Sequence, residues 1–253
     1  MTQPVPDTRS VRLIQDGAAG AVIEVTVAAP IATVWDHLRD RELLARWHGW
    51  DAPGNEAEID MIYHQYSRES GDQYSLEMMG GPEPGSYELG DRFDLRSDEG
   101  GAVVRITRSP KGGGGDWDAM YDDITQGWIS FLAQLKFAVE QQLGKTRRTI
   151  FLHSGPGQPR RARAGVIDVQ PGERYAVELS SRLPLNGTGW MRTDAQTGLT
   201  VDDYGPGLVV LADMASAKGT SVESSMAIIT TYGLSDRDFA KVEKAWTKWW
   251  NQK

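Results

Sequence analysis

The sequence predicts an α+β protein made of two antiparallel β-rich regions, each closed by an amphipathic helix. Three observations predict it. Short runs of alternating apolar and polar residues, separated by Gly, Pro, Asn and Asp, recur in both halves of the chain. The stretch 122–143 carries Ile124, Trp128, Phe131, Leu132, Leu135, Ala138, Val139 and Leu143 at spacings of three and four. The last residues repeat that period with Phe239, Val242, Trp246 and Trp249 or Trp250.

Residues 11–30 read as a strand, a turn at Asp16 to Gly20, and a second strand in which Ile23, Val25 and Val27 alternate with Val22, Glu24 and Thr26. Helical spacing follows in "PIATVWDHLRD", with Pro30 at its start and Ile31, Val34, Trp35 and Leu38 on one stripe. A second short helix, "DRELLARWHGW", has Asp40 as its N-cap and buries Leu43, Leu44 and Trp47. From Asn55 to Thr107 the pattern is that of an antiparallel meander: "AEIDMIYHQYS", "DQYSLEMM", "SYELGDRFDLRS" and "AVVRITRS" as strands, with "DEGG" as a turn. "SPKGGGGD" is a loop, because consecutive glycines cost the most backbone entropy to order.

After the helix at 122–143, residues 153–165, "HSGPGQPRRARAG", have the composition of a linker. Strands then resume in "AGVIDV", "ERYAVELSSRL", "GTGWMRTDAQTGLTVDDYG", "GLVVLADMA" and "SSMAIITTYGL", and Ser235 caps a final helix with Asp238 three residues on. The expected domains are a tail at 1–10, a first domain at 11–152, the linker, and a second domain at 166–253. Because both regions are strands followed by a Trp-bearing helix, the second is at most a partial repeat of the first, and it lacks the two short helices.

A chain of 253 residues suits two unequal domains, and 40% apolar with 25% charged residues is the composition of an ordinary globular protein. No apolar run approaches the ~18 residues that span a bilayer, and no secretory leader is expected from "MTQPVPDTRS". A net charge of −8 argues against nucleic acid as a partner. The absence of cysteine excludes disulfides and thiolate chemistry and agrees with a cytoplasmic location. His37, His48, His64 and His153 have no metal-ligand spacing, so neither a metal nor another cofactor is expected. Lys145, Arg147, Arg148, Arg160, Arg161 and Arg163 form a basic stretch without a carboxylate, which suits an acidic partner or anion but is read first as a solvated linker docking on the protein's own acidic surface.

"VAAPIATVWDHLRDRELLARWHGW" and "YDDITQGWISFLAQLKFAVEQ" resemble the entry and exit segments of the START and birch-pollen-allergen superfamily, SRPBCC, and within it the branch named after the activator of a heat-shock chaperone ATPase, the AHSA1-like branch. The resemblance covers residues ~10–150 and implies a bacterial member with a C-terminal extension. It also implies a helix-grip fold, in which a curved antiparallel sheet wraps the long helix and leaves a cavity between them. In such a fold Gly127 would permit close approach at a cost of ~1 kcal/mol against Ala. The residues expected to contact a ligand are Trp47, Tyr63, Leu76, Met78, Phe93, Trp128, Leu132 and Leu135, with Trp50 near the mouth.

The leading expectation is a non-enzymatic module that binds a small hydrophobic or amphipathic molecule. The alternatives are a cyclase/aromatase- or hydrolase-like enzyme drawing on Arg105, His64, Tyr63 and Asp118, and a co-chaperone-like interaction module. No catalytic residue is assigned, and homodimerisation through the Trp-rich last helix stays open.

Overall fold

The computed structural model describes residues 10–15, 20–69, 74–79, 90–110, 116–155, 158, 162–180, 183–205, 207–215 and 222–252, with the backbone alone at 116–119 and 215. The chain divides into two units, Val11–Leu143 and Gly144–Lys253, the latter grouped with the N-terminal residues. It is α+β, with two antiparallel sheets and a long helix. Among the described residues no helix is long and apolar enough to cross a membrane.

The N-terminal unit opens with β1 (Arg12–Gln15) and β2 (Val22–Val27), followed by α1 (Ile31–Arg39), α2 (Arg41–Leu44) and α3 (Asn55–Asp60). A π-helical turn, Met61–Gln65, continues α3 and leads to β3 (Ser67–Glu69), β4 (Ser75–Met78), β5 (Asp91–Asp98), β6 (Gly101–Thr107) and α4 (Asp116–Gln141). Its sheet runs β1-β2-β6-β5-β4-β3. Asp40 caps α2 as expected, its carboxylate accepting from the Leu43 amide at 3.0 Å. Gly101 opens β6 after the β5–β6 turn at φ +133°, where a Cβ would come 2.1 Å from the Val27 carbonyl oxygen.

Residues 55–65 are helical rather than a strand. Ile59 and Tyr63, both buried, stand one helical turn apart, and the alternation read there as β coincides with that i, i+4 stripe. Tyr63 thus reaches the core from a helix. The α1 stripe is also shifted: its buried residues are Val34, His37 and Leu38.

The helix expected at 122–143 begins earlier, at Asp116, and is about 39 Å long at 1.5 Å per residue. Leu143 lies beyond it and is 63% exposed. Ser130, Gln134 and Lys136 are buried along with the apolar residues. The polar ones need partners, and Lys136 Nζ donates to the Thr26 carbonyl (2.8 Å) and to Glu140 (2.6 Å), whose carboxylate accepts from the Ala28 amide at 2.7 Å. These bonds seat α4 on β2.

The C-terminal unit contains β7 (Arg147–Ser154), β8 (Arg174–Ser180), β9 (Leu183–Arg192), β10 (Gln196–Val201), β11 (Gly207–Ala215), β12 (Val222–Tyr232) and α5 (Asp236–Trp250). A short 3₁₀ turn, Asp202–Tyr204, precedes β11, and the sheet runs β7-β12-β11-β10-β9-β8. Because β7 pairs with β12 from Arg147↔Tyr232 to Ser154↔Ser225, the division falls at Leu143/Gly144, before the segment expected as the linker. "AGVIDV" forms turns and no strand.

Within this unit the core joins Ile150, Leu185, Leu199, Leu211 and Ile229 of the sheet to Phe239 and Trp246 of α5. Ser235 caps α5, accepting from the Asp238 amide at 3.2 Å. The basic stretch is spent internally in part, while Lys145 is exposed. Arg148 pairs with Asp236 at 2.7 Å and lies over the Phe239 ring, and buried Arg163 donates to Thr197 and to the Thr193 and Asp194 carbonyls. Arg160 and Arg161 lie outside the described residues.

Candidate functional site

An aromatic cluster occupies the interior of the N-terminal unit, drawn from four parts of the chain. The turn after α2 supplies Trp47, His48 and Trp50, the π-helical turn Tyr63, β5 Phe93, and α4 Trp128 and Phe131. Ring centroids are 6.0 Å apart for Trp47 and Tyr63, 6.2 Å for Tyr63 and Phe93, and 5.4 Å for Phe93 and Trp128. Phe131 contacts His48 at 4.8 Å and Trp128 at 5.9 Å. The pairs from Trp47–Tyr63 to Phe93–Trp128 include tilted and edge-to-face arrangements, which the ring quadrupoles favour.

The cluster is held by its polar edges. Trp47 Nε1 donates to the His37 carbonyl at 2.8 Å, tying the α2 turn to the end of α1. Ser67 Oγ and the Arg39 guanidinium both donate to the Tyr63 carbonyl, fixing the π-helical turn that aims the phenol inward. At the start of α4, fully buried Arg108 donates to Asp91 (3.0 Å) and to the Tyr121 carbonyl (2.7 Å), and the Tyr121 hydroxyl accepts from the Ala21 amide. This latch sets where Trp128 enters.

Inside the cluster lies a chain of titratable groups. The Tyr63 hydroxyl is 3.0 Å from His48 Nδ1, and His48 Nε2 stands 3.6 Å from Glu58 Oε1, an electrostatic distance longer than a direct hydrogen bond. Tyr63 and His48 are buried, whereas the Glu58 side chain is 52% exposed. The imidazole holds the Glu58 carboxyl below its ordinary pKa. Burial, with Glu58 adding to it, pushes the Tyr63 phenol well above its ordinary value, so it stays a neutral proton donor. With Tyr63 donating to Nδ1, Nε2–H is left facing the carboxylate.

The Trp128 indole Nε1–H is buried and has no hydrogen-bond partner among the described residues. Since a buried unpaired donor costs about 1–3 kcal/mol, it is the group in this cluster most in want of an acceptor. A Cβ on neighbouring Gly127 would meet nothing within 4 Å, so the glycine does not serve a close approach.

All eight residues expected at a ligand site are buried. Trp47, Tyr63, Phe93 and Trp128 meet in the cluster, and Leu76 sits directly across from Phe93 in the β4–β5 register. Met78, facing Asp91, and Leu132 and Leu135 on α4 make none of these ring contacts. Of the described side chains considered for acid–base chemistry, only Tyr63 enters the cluster. Arg105 is half-exposed and pairs with Glu24, the His64 pKa is lowered by burial and then by the charges of Arg41 and Arg39, and the Asp118 side chain is outside the description. His48 and Glu58 were not singled out from the sequence. The adjacency of His48 to Trp47 was the available signal. Among the described residues no group of three or more His, Asp or Glu is arranged to hold a metal.

No family model matches the chain, and no curated protein does. It is similar to three solved structures among others. DynU16 of the dynemicin biosynthetic locus shares 15% identity, TM-score 0.34, over 90% of this chain and 94% of that one. The Aha1 dimer from Colwellia psychrerythraea shares 18%, TM-score 0.37, over 49% of this chain and 97% of its own. The di-domain ARO/CYC StfQ of the steffimycin pathway shares 10%, TM-score 0.36, over 88% and 91%. At such values the likeness carries no inference about activity.

Proposed function

We propose that the N-terminal unit binds a small amphipathic molecule between α4 and the sheet, its hydrocarbon against Phe93, Phe131 and Tyr63 and its acceptor oxygen on the Trp128 indole N–H. The observation that carries this is the buried Trp128 donor without a partner among the described residues, set in an aromatic wall with Phe93 and Phe131. The same reading takes the chain as a cytoplasmic, AHSA1-like member of the SRPBCC superfamily, on the strength of the two quoted segments.

Titration with acetylnaphthalene and with isopropylnaphthalene, which lacks the carbonyl, tests the binding. The carbonyl compound should bind about tenfold more tightly, and Trp128→Phe, which keeps an aromatic ring and deletes the donor, should abolish that preference. Binding of neither compound, or a preference that survives Trp128→Phe, would sink the proposal.

A second reading, an acid–base enzyme in the same place, is favoured by the Glu58–His48–Tyr63 chain, which links solvent to a buried phenol. Native mass spectrometry of wild-type and Tyr63→Phe protein from one host separates the two. An enzyme retains different compounds in the two forms, product against substrate, and identical compounds count against turnover.

A further inference from the structure

The C-terminal unit has a cleft of about 300 Å³ lined by Ala162, Ala164, Glu178, Trp249, Trp250 and Gln252, with Gly165 and Leu179 completing the wall. We infer that it is a second binding site, separate from the aromatic cluster of the N-terminal unit, for a small alkylated ammonium ion.

The chemistry of the lining selects the charge. Trp249 and Trp250 form a corner, with ring centroids 5.7 Å apart and planes at 62°. Indole faces attract cations through the ring quadrupole. Glu178 supplies a carboxylate that has no ion-pair partner among the described residues, and among those residues no Lys, Arg or His lines the cleft. The chain's net charge of −8 favours approach of a cation.

The lining also selects the type of cation. A primary ammonium brings three donors and loses affinity wherever one stays unpaired. The side-chain acceptors here are those of Glu178 and Gln252, and the rest of the lining is aromatic, aliphatic or glycine. A quaternary ammonium asks for no hydrogen bond and gains from apolar contact as well as charge, so it suits this surface better. A volume of about 300 Å³ is at the small end for ligand sites and accommodates a choline-sized ion.

The walls are fixed before anything binds. Asp213 accepts from the Ala162 amide at 2.8 Å, from the Arg163 amide at 3.1 Å and from Ser225 Oγ at 2.7 Å, which pins the 162–163 segment to β11 and β12. On the other side, Trp246 Nε1 donates to the Tyr204 hydroxyl at 2.7 Å, and Trp246 packs edge-on against Trp249 with centroids 5.2 Å apart. A Cβ at Gly165 would stand 3.3 Å from Leu179 Cδ2, so the glycine keeps the wall from crowding that side chain. Ordered walls reduce the entropy lost on binding.

The test is titration of the full-length protein with choline and with its neutral isostere dimethylbutanol, followed through the tryptophan indole resonances. Choline should bind about tenfold more tightly than the alcohol. Glu178→Gln, a surface change, should weaken choline severalfold and leave the alcohol unaffected. Trp249→Leu should remove choline binding, with circular dichroism confirming the fold. Should Trp249→Leu fail to fold, Ala164→Lys, which places a cation of the chain's own in the cleft, should block choline. Trp128→Phe should leave it unchanged, so this site and the N-terminal one fail independently. Equal affinity for choline and the alcohol, indifference to Glu178→Gln, or no choline binding would overturn the inference.

Discussion

In the N-terminal unit β2 pairs with the last strand, β6, and β5, β4 and β3 follow in descending order; in the C-terminal unit β7 does the same with β12, followed by β11 to β8. Each last strand leads to a helix, α4 or α5. The contents differ. Between β2 and β3 the chain inserts α1, α2, α3 and the π-helical turn, and these deliver Trp47, His48, Glu58 and Tyr63. Between β7 and β8 the described residues are turns and irregular chain, and the core combines aliphatic strand residues with Tyr175, Tyr204, Phe239, Trp246 and Trp250, held by a buried indole bond from Trp246 to Tyr204. Strand order alone therefore does not decide what a helix and a sheet enclose. The connection to the far edge of the sheet contributes: between β2 and β3 it brings in aromatic and titratable side chains, whereas between β7 and β8 it brings Ala162 and Val166 into the core.

The sharpest way to break this contrast is to empty the core of one unit. Trp246→Ala removes a fully buried indole and leaves the Tyr204 hydroxyl without it, so the C-terminal unit should lose about 3–5 kcal/mol. Region-resolved hydrogen exchange should show the loss concentrated in β7–β12, and an equal loss in both units would mean that they do not unfold as separate entities. The N-terminal counterpart is polar. Asp91→Ala strips a buried guanidinium of its carboxylate, and breaking such a pair typically costs about 3 kcal/mol or more. Exchange protection should fall in β5, β6 and the first turns of α4, where Arg108 makes its bonds.

Acid should separate the units next. Burial draws the His37 pKa below 6.5, with the Thr33 carbonyl bond opposing it in part, and His64 shifts the same way through burial and the nearby arginines. As pH falls through the unfolded value, the unfolded chain takes up protons that these folded imidazoles refuse. Stability present above about pH 6.5 is then progressively lost below it. The described histidine of the C-terminal unit, His153, is exposed. Hydrogen exchange at about pH 7.5 and about pH 5.5, corrected for intrinsic rates, should show the N-terminal unit losing protection first.

The smallest expected effect is a gain. A Cβ at Gly127 enters open space inside a helix, so Gly127→Ala should stabilise the N-terminal unit by up to about 1 kcal/mol in thermal unfolding. If that space receives ligand, the same change should weaken acetylnaphthalene.

Much of this architecture is legible residue by residue in the sequence. β5, β6, β11 and β12 announce themselves by alternation between turn residues, α5 by its Ser235 cap and three-to-four spacing, and the burial of Trp47, Tyr63, Phe93 and Trp128 by their apolarity. These signals are local, since each depends on neighbours within a few positions. The tertiary structure alone decided that Arg147–Ser154 belongs to the second sheet, that 55–65 coils into helix, and that His48 stands between Tyr63 and Glu58. It alone decided that Lys136 on a buried helix is satisfied by Thr26, 110 residues away in sequence. The reason is that a strand's partner and a buried polar group's acceptor are set by which segments meet on folding, and no period within one segment specifies them.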